Sequence, residues 1–200
     1  MKKNLLSLFV CLAAFMVSGC TSDLMRPSEQ KPSATVAGDR ARIVFIRSTM
    51  ISAAVGVEIL EVTNGDFKFI GQLPTGNRIL YETTPGEKVF MAYGMAADFM
   101  RANLAAGKTY YSIVRPNWGT GGFAPTPVRA DGTTDYNTKS PDFAGWISNT
   151  TLIEPNEKAH AWMQENKQRY QEIYSDYWSR WMRKTDDEKA QRTLRPEDGM

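Results

Sequence analysis

Residues 55–73 read VGVEILEVTNGDFKFIGQL, and this stretch decides the fold class. Val55, Val57 and Ile59 are two residues apart, so they lie on one side of an extended strand. Asn64-Gly65 is a dipeptide typical of two-residue hairpin turns, and residues 67–73 follow it as a second strand. The stretch therefore predicts a β-hairpin.

Short strands and turns continue on both sides of this hairpin. Further strands are predicted at residues 43–46, 78–83, 87–93, 109–114 and 146–153, with turns at residues 74–77, 85–86 and 106–108. Turns at this spacing are typical of an antiparallel sandwich or barrel. We therefore predict an α+β protein whose residues 41–153 form an antiparallel β-sandwich of about seven strands.

The C-terminal part of the chain predicts a long amphipathic helix over residues 154–184. Pro155 or Asn156 begins it, because both residue types are favoured at helix N-termini. Aromatic side chains collect on one helical face, which we interpret as a partner-binding face, and they are Trp162, Tyr170, Tyr174, Tyr177, Trp178 and Trp181. Residues 185–200 are polar and are predicted to form a flexible tail.

Two positions for this aromatic face remain open. It packs on the sheet of its own domain, or it contacts a second copy, another envelope protein or a membrane surface. The membrane is the weakest of these alternatives, because the polar face of the helix is not rich in Lys and Arg.

The N-terminus resembles a bacterial lipoprotein signal. Lys2 and Lys3 precede an uncharged apolar run over residues 5–17, and Ser18-Gly19-Cys20 follows it. The resemblance implies a signal peptide over residues 1–19 and acyl chains on Cys20. Residues 20–40 are then expected to form a flexible tether. Thr21 stands where an Asp would indicate the inner membrane, so we expect an outer-membrane anchor facing the periplasm.

Charge and cysteine content narrow the remaining classes. The chain has 24 Lys and Arg against 22 Asp and Glu, and removal of Lys2 and Lys3 leaves 22 against 22. A neutral domain has no electrostatic basis for binding nucleic acid, so no nucleic-acid partner is predicted. Cys11 leaves with the signal peptide and Cys20 is acylated, so the mature chain is expected to lack a disulfide.

Residues 116–148 form a long segment rich in Gly, Pro and aromatic residues. In one interpretation the segment covers the sheet and its aromatic side chains fill the core. In the other it is a ligand- or glycan-binding loop whose site is lined by Trp118, Phe123, Tyr136 and Trp146.

The chain offers little that could support catalysis. His160 is the single histidine, and nucleophilic and zinc sites need a histidine or cysteine beside further ligands. Asp131, Asp135, Asn137 and Asp142 supply oxygen atoms, but not at the spacing of a calcium loop. We therefore predict no catalytic residues, no metal site and no cofactor.

Residues 41–116 resemble a bacterial lipoprotein domain of uncharacterised function. The resemblance rests on RIVFIR at residues 42–47, GQLP at 71–74 with Gly76, TPGE at 84–87 and AGKTYY at 106–111. It implies a small β-sandwich with a short helix after the last strand, and it contributes no catalytic residues. The long 116–148 segment and the long aromatic helix depart from this pattern.

Together these features predict a lipid-anchored cell-envelope protein with a non-enzymatic interaction or assembly role. The expected partners are the membrane, through the lipid, and an envelope protein or a second copy of the chain. The alternative is a periplasmic module that binds a small ligand or a glycan through residues 116–148.

Overall fold

The computed structural model describes residues 23–29, 32–63 and 65–200. The predicted signal peptide over residues 1–19, the predicted lipidation site Cys20 and the turn residue Asn64 lie outside these ranges. In the part of the chain that is described, no helix has the length and apolar content needed to cross a membrane.

Eleven strands are present within the described residues. In chain order they are β1 (Met25–Pro27), β2 (Ala41–Arg47), β3 (Val57–Thr63), β4 (Asp66–Leu73), β5 (Asn77–Thr83), β6 (Gly86–Tyr93), β7 (Ala97–Leu104), β8 (Thr109–Asn117), β9 (Gly122–Pro127), β10 (Thr151–Pro155) and β11 (Thr193–Leu194). The helices are α1 (Asp142–Ser148), α2 (Glu157–Met182) and α3 (Asp186–Gln191), followed by a 3-10 turn at Pro196–Asp198.

The strands form two sheets. Sheet A has the order β1-β10-β5-β2-β8-β9, and sheet B has the order β11-β7-β6-β3-β4. The main core lies between the sheets, where apolar side chains from the inner faces interdigitate, among them Phe45, Ile59, Phe90, Met100 and Tyr110. The fold is therefore α+β and sandwich-like, with the predicted long helix at its C-terminal side.

Two details of the predicted sandwich are wrong. The strand number is eleven and not about seven, and three strand pairs are parallel, namely β2 with β8, β10 with β5 and β11 with β7. Strands β1 and β11 are too short to leave a pattern in the sequence. Strand β9 contains Pro125 and Pro127, which a strand accepts only where it lies at a sheet edge, as β9 does.

The predicted tether and tail are both partly folded. Met25 is buried, and β1 pairs antiparallel with β10, so residues 25–27 belong to sheet A. At the other terminus Leu194 is buried in the main core, and the carboxylate of Asp198 pairs with Arg129 at 2.8 Å. Residues 185–200 are therefore packed against the domain and do not form a flexible tail.

Helix α2 lies across the outer face of sheet B. Asn156 begins it by accepting a hydrogen bond from the amide of Lys158 at 3.0 Å. A helix of 26 residues is about 39 Å long, which exceeds the width of five strands at about 4.8 Å each. Its rings meet those of the sheet in pairs: Trp162 with Phe69, Tyr170 with Tyr93, Tyr174 with Phe67, and Trp178 with Phe99.

The 116–148 segment is partly secondary structure. It contains the end of β8, all of β9 and helix α1, and not one long loop. Its aromatic residues Tyr136, Phe143 and Trp146 cover the outer face of sheet A, against Val44, Ile46 and Ile113. The covering interpretation of this segment therefore describes most of its aromatic residues.

Candidate functional site

Four loops meet at one end of the two sheets. Arg47 at the end of β2 lies opposite Asn77 at the start of β5, and β8 runs parallel to β2. Tyr93 at the end of β6 lies opposite Glu58 near the start of β3. The connections at residues 48–56, 74–76, 94–96 and 118–121 therefore share this end, and we call them the apical loops.

The apical loops carry exposed apolar side chains and no charge. None of their residues is Asp, Glu, Lys or Arg. Trp118 is 79% exposed, Met50 75%, Met95 69% and Ile51 50%, and these are four of the six exposed large apolar residues in the described ranges. Monomeric proteins seldom expose apolar side chains together in this way unless the surface binds something.

Close backbone packing brings these loops together. A Cβ atom on Gly122 would lie 2.3 Å from the carbonyl oxygen of Ala96, so only glycine lets the β8–β9 hairpin approach the 94–96 turn. A Cβ atom on Gly94 would lie 3.1 Å from the carbonyl oxygen of Gly56, which is also a tight approach. Met95 sits in this turn at φ 92°, a strained conformation for a residue with a side chain, which costs about 1–3 kcal/mol.

Arg47 fixes the loops from below. Its guanidinium is fully buried and donates to the carbonyl oxygens of Ser52 at 2.8 Å, Leu73 at 3.0 Å, and Val55. It also lies 4.4 Å from the ring centre of Phe123. Within the described ranges no carboxylate forms an ion pair with it. Burial lowers the pKa of Arg47 to about 10, so it stays charged at neutral pH.

The six residues of the predicted partner-binding face do lie together, but they face their own sheet. Tyr170 and Trp181 are buried, and the indole Nε1–H of Trp181 donates to the carbonyl oxygen of Phe99 at 3.2 Å. The others, partly buried, pack against the same apolar cluster, and they are Trp162, Tyr174, Tyr177 and Trp178. This face is therefore occupied by the protein's own domain.

The four residues predicted to bind a ligand are not brought together. Trp118 is exposed at the tip of the β8–β9 hairpin, whereas Phe123 is buried in the main core. Tyr136 and Trp146 contact each other at a ring separation of 5.8 Å on the outer face of sheet A. The aromatic ligand site expected from residues 116–148 is thus absent as a single site among these residues.

Groups that could support catalysis are dispersed. His160 is exposed on α2. In the ranges that the structure describes, no group of three or more His, Cys, Asp or Glu side chains is placed to hold a metal ion. Asp131 pairs with Arg195 at 2.6 Å, and this pairing and its hydrogen bonds with Thr133 hold the pKa of Asp131 below its usual range.

The sequence pattern did not identify the apical loops as a candidate binding surface, and Trp118 is the one residue of these loops that was predicted to bind a ligand. Each loop is an ordinary turn segment when taken alone. The available signal was that residues 48–56 hold nine consecutive uncharged residues, with Met50 and Ile51 between two predicted strands.

Comparison with known proteins adds no relationship. The chain matches no protein-family model, and no curated protein is similar to it at a significant level. The resemblance of residues 41–116 to a bacterial lipoprotein domain stays a prediction.

Proposed function

We propose that this chain is a lipid-anchored cell-envelope protein that binds a partner protein through its apical loops and performs no chemistry. The observation that carries the proposal is the collection of Met50, Ile51, Met95 and Trp118 on uncharged loops at one end of the fold. The cores of protein interfaces are depleted of charge and enriched in aromatic residues and Met.

The entry point of the chain supports a protein partner. Thr151 lies level with Asn77 at the apical end, and Met25 pairs with Pro155, four residues further along β10. Met25 therefore lies about 13 Å below the apical end. Cys20 precedes Asp23 by three residues, which span at most about 10 Å. A lipid on Cys20 would hold this lower part near the membrane and direct the apical loops away from it.

This geometry argues against two other occupants. The short connection between Cys20 and the fold favours an orientation in which the apical loops point away from the membrane that holds the lipid. Two copies that met through their apical loops would direct their anchors oppositely, so copies in one leaflet do not pair this way.

The test is site-specific photo-crosslinking in cells of the source organism. A benzophenone amino acid replaces Met95 in the full chain, and a second strain carries it at Asn103, which is exposed near the far end of β7. We expect position 95 to crosslink to one envelope protein and position 103 not to do so. Equal labelling from both positions, or none from position 95, would contradict the proposal.

Two substitutions complete the test. Trp118→Ser should abolish the crosslink from position 95, because buried Trp residues dominate interface energetics. Met200→Ser is the matched control, since Met200 is also an exposed apolar residue but its backbone pairs with Thr109, away from the apical end. Cys20→Ser should release the protein from the membrane fraction, which tests the anchor separately.

A further inference from the structure

A cleft adjoins the apical loops on the side of α2. Its volume is about 270 Å³, and it lies between Gly119 and Thr120 of the β8–β9 hairpin and the last turns of α2. Arg180 and Lys184 line its helical wall, and Asp98 lies on its floor. Because Gly119 follows Trp118 directly, the cleft begins at the residue next to the exposed Trp118.

The cleft presents two cations, of which Lys184 is attracted by the carboxylate of Glu188 but not paired with it. Arg180 is exposed, and its guanidinium lies 5.0 Å from the ring centre of Tyr177. Among residues 23–29, 32–63 and 65–200, no carboxylate lies within ion-pairing distance of Arg180 or Lys184.

The floor of the cleft does not supply the missing anion. Asp98 is buried and already accepts hydrogen bonds from the side chain of Asn117 at 2.7 Å and from the amide of Phe99 at 2.8 Å. It also pairs with Arg192 at 3.5 Å. The carboxylate of Asp98 is therefore occupied by these partners, and it forms no ion pair with Arg180 or Lys184.

Basic residues near a helix C-terminus also stabilise the helix dipole, at about 0.3–1 kcal/mol each. That effect applies equally to Arg183, which is exposed at the C-cap of α2 but does not line the cleft. The position of Arg180 and Lys184 in a cleft shared with Gly119 and Thr120, which follow Trp118 in the chain, is the additional feature, and it sets them apart from Arg183.

We infer that the partner presents an apolar pocket flanked by carboxylates, so that Trp118 enters the pocket while an Asp or Glu of the partner occupies the cleft beside Arg180 and Lys184. This inference rests on the proposed function, because it assigns the chemistry of the partner at the same surface. Charge complementarity beside an apolar contact fixes the orientation of two proteins. Two copies meeting here would instead face each other with like charges.

The experiment uses the full chain in source cells, with the benzophenone amino acid at position 95. Arg180→Glu is compared with Arg183→Glu, because both reverse one charge in the last turn of α2 and only the first lines the cleft. We expect Arg180→Glu to lower the crosslink yield by about five- to tenfold, equivalent to roughly 1 kcal/mol, and Arg183→Glu to leave it nearly unchanged. Circular dichroism of both variants checks that α2 is retained.

A second step identifies the partner's anion. The crosslinked partner is identified by mass spectrometry, and each Asp or Glu near the crosslinked peptide is changed to Lys. Recovery of the yield with Arg180→Glu by one such change supports the assignment, and no recovery by any of them overturns it.

The outcomes separate the two proposals. If Trp118→Ser abolishes the crosslink and Arg180→Glu does not reduce it, the carboxylate partner is wrong and the proposed function stands. Equal losses from Arg180→Glu and Arg183→Glu also overturn the assignment to the cleft. Crosslinks from position 95 only to lipid or only to a second copy overturn both proposals.

Discussion

Trp181 provides the sharpest test of the finding that the aromatic face of α2 belongs to the protein's own core. Its side chain is 1% exposed and is the largest fully buried side chain of the described residues. The indole stacks on Trp178 at 5.0 Å and 6°, and the guanidinium of Arg101 lies 4.8 Å from its ring centre. Its Nε1–H donates to the carbonyl oxygen of Phe99 at 3.2 Å.

The expected cost of Trp181→Ala follows from these contacts. Removal of a buried Trp or Phe side chain costs about 3–5 kcal/mol, through lost transfer free energy and the cavity left behind. The substitution also leaves the buried carbonyl of Phe99 without this donor, and an unsatisfied buried group costs about 1–3 kcal/mol. We therefore expect a loss of about 4–8 kcal/mol, which is roughly a quarter or more of the stability of a typical domain.

The assay is urea unfolding of the lipid-free chain over residues 21–200, followed by circular dichroism. The midpoint should fall while the dependence on urea concentration stays the same. Trp178→Ala is the control, because Trp178 is only partly buried, and it should cost about half as much. A loss below about 1 kcal/mol for Trp181→Ala would mean that α2 is not docked on sheet B, and its aromatic face would again be available to a partner.

Three further substitutions test the apical loops and the C-terminus. Arg47→Met leaves three backbone carbonyls, those of Ser52, Val55 and Leu73, without their donor, so the free energy of unfolding should fall by about 3 kcal/mol in the same titration. An unchanged value would show that Arg47 does not stabilise the loops. Gly122→Ala should displace the β8–β9 hairpin and change the fluorescence of Trp118, because the new Cβ atom would overlap the backbone of Ala96. Gly119→Ala is the control and should do neither, because its Cβ atom would lie 3.4 Å from the nearest atom. Burial alone would raise the pKa of Asp198, but hydrogen bonds from Arg195 and Arg129 outweigh this effect and lower the pKa. The carboxylate therefore stabilises residues 193–198 fully above its unfolded pKa of about 3.9, and this stabilisation is lost as the pH falls through the lower pKa of the folded state. Hydrogen exchange of that segment should accelerate on acidification in the parent protein and be fast at neutral pH in D198N.

The sequence predicted the strands whose pattern is local. The hairpin of β3 and β4 was found because alternation and a turn dipeptide lie in one short stretch, and Thr63 does pair with Asp66 across the turn. Strand β7 was missed because polar residues interrupt its apolar run, yet it pairs along its whole length with β6. Pairing with β6 therefore stabilises β7 as a strand although its own sequence lacks a regular strand pattern.

The apical loops could not be found by local reasoning, because they meet only through long-range pairing. Residues 48–56 and 118–121 are about 70 residues apart in the chain. They share one end of the fold because β2 pairs in parallel with β8. Parallel strands are not joined by a short hairpin turn, so the sequence carries no local signal for this pairing.

The aromatic helix shows why residue type alone did not identify the proposed binding surface. A straight helix laid across twisted strands leaves gaps of uneven depth, and large rings on both sides fill them. The sheet offers Phe67, Phe69, Tyr93 and Phe99 to the rings of α2, so the aromatic content of the helix is accounted for by its own domain. Trp118 is also aromatic, but it is 79% exposed, no ring of the described residues packs against it, and it lies among uncharged loops. Exposure together with missing charge is therefore the basis for the proposal that the apical loops recognise a partner, whereas the rings of α2 complete the core.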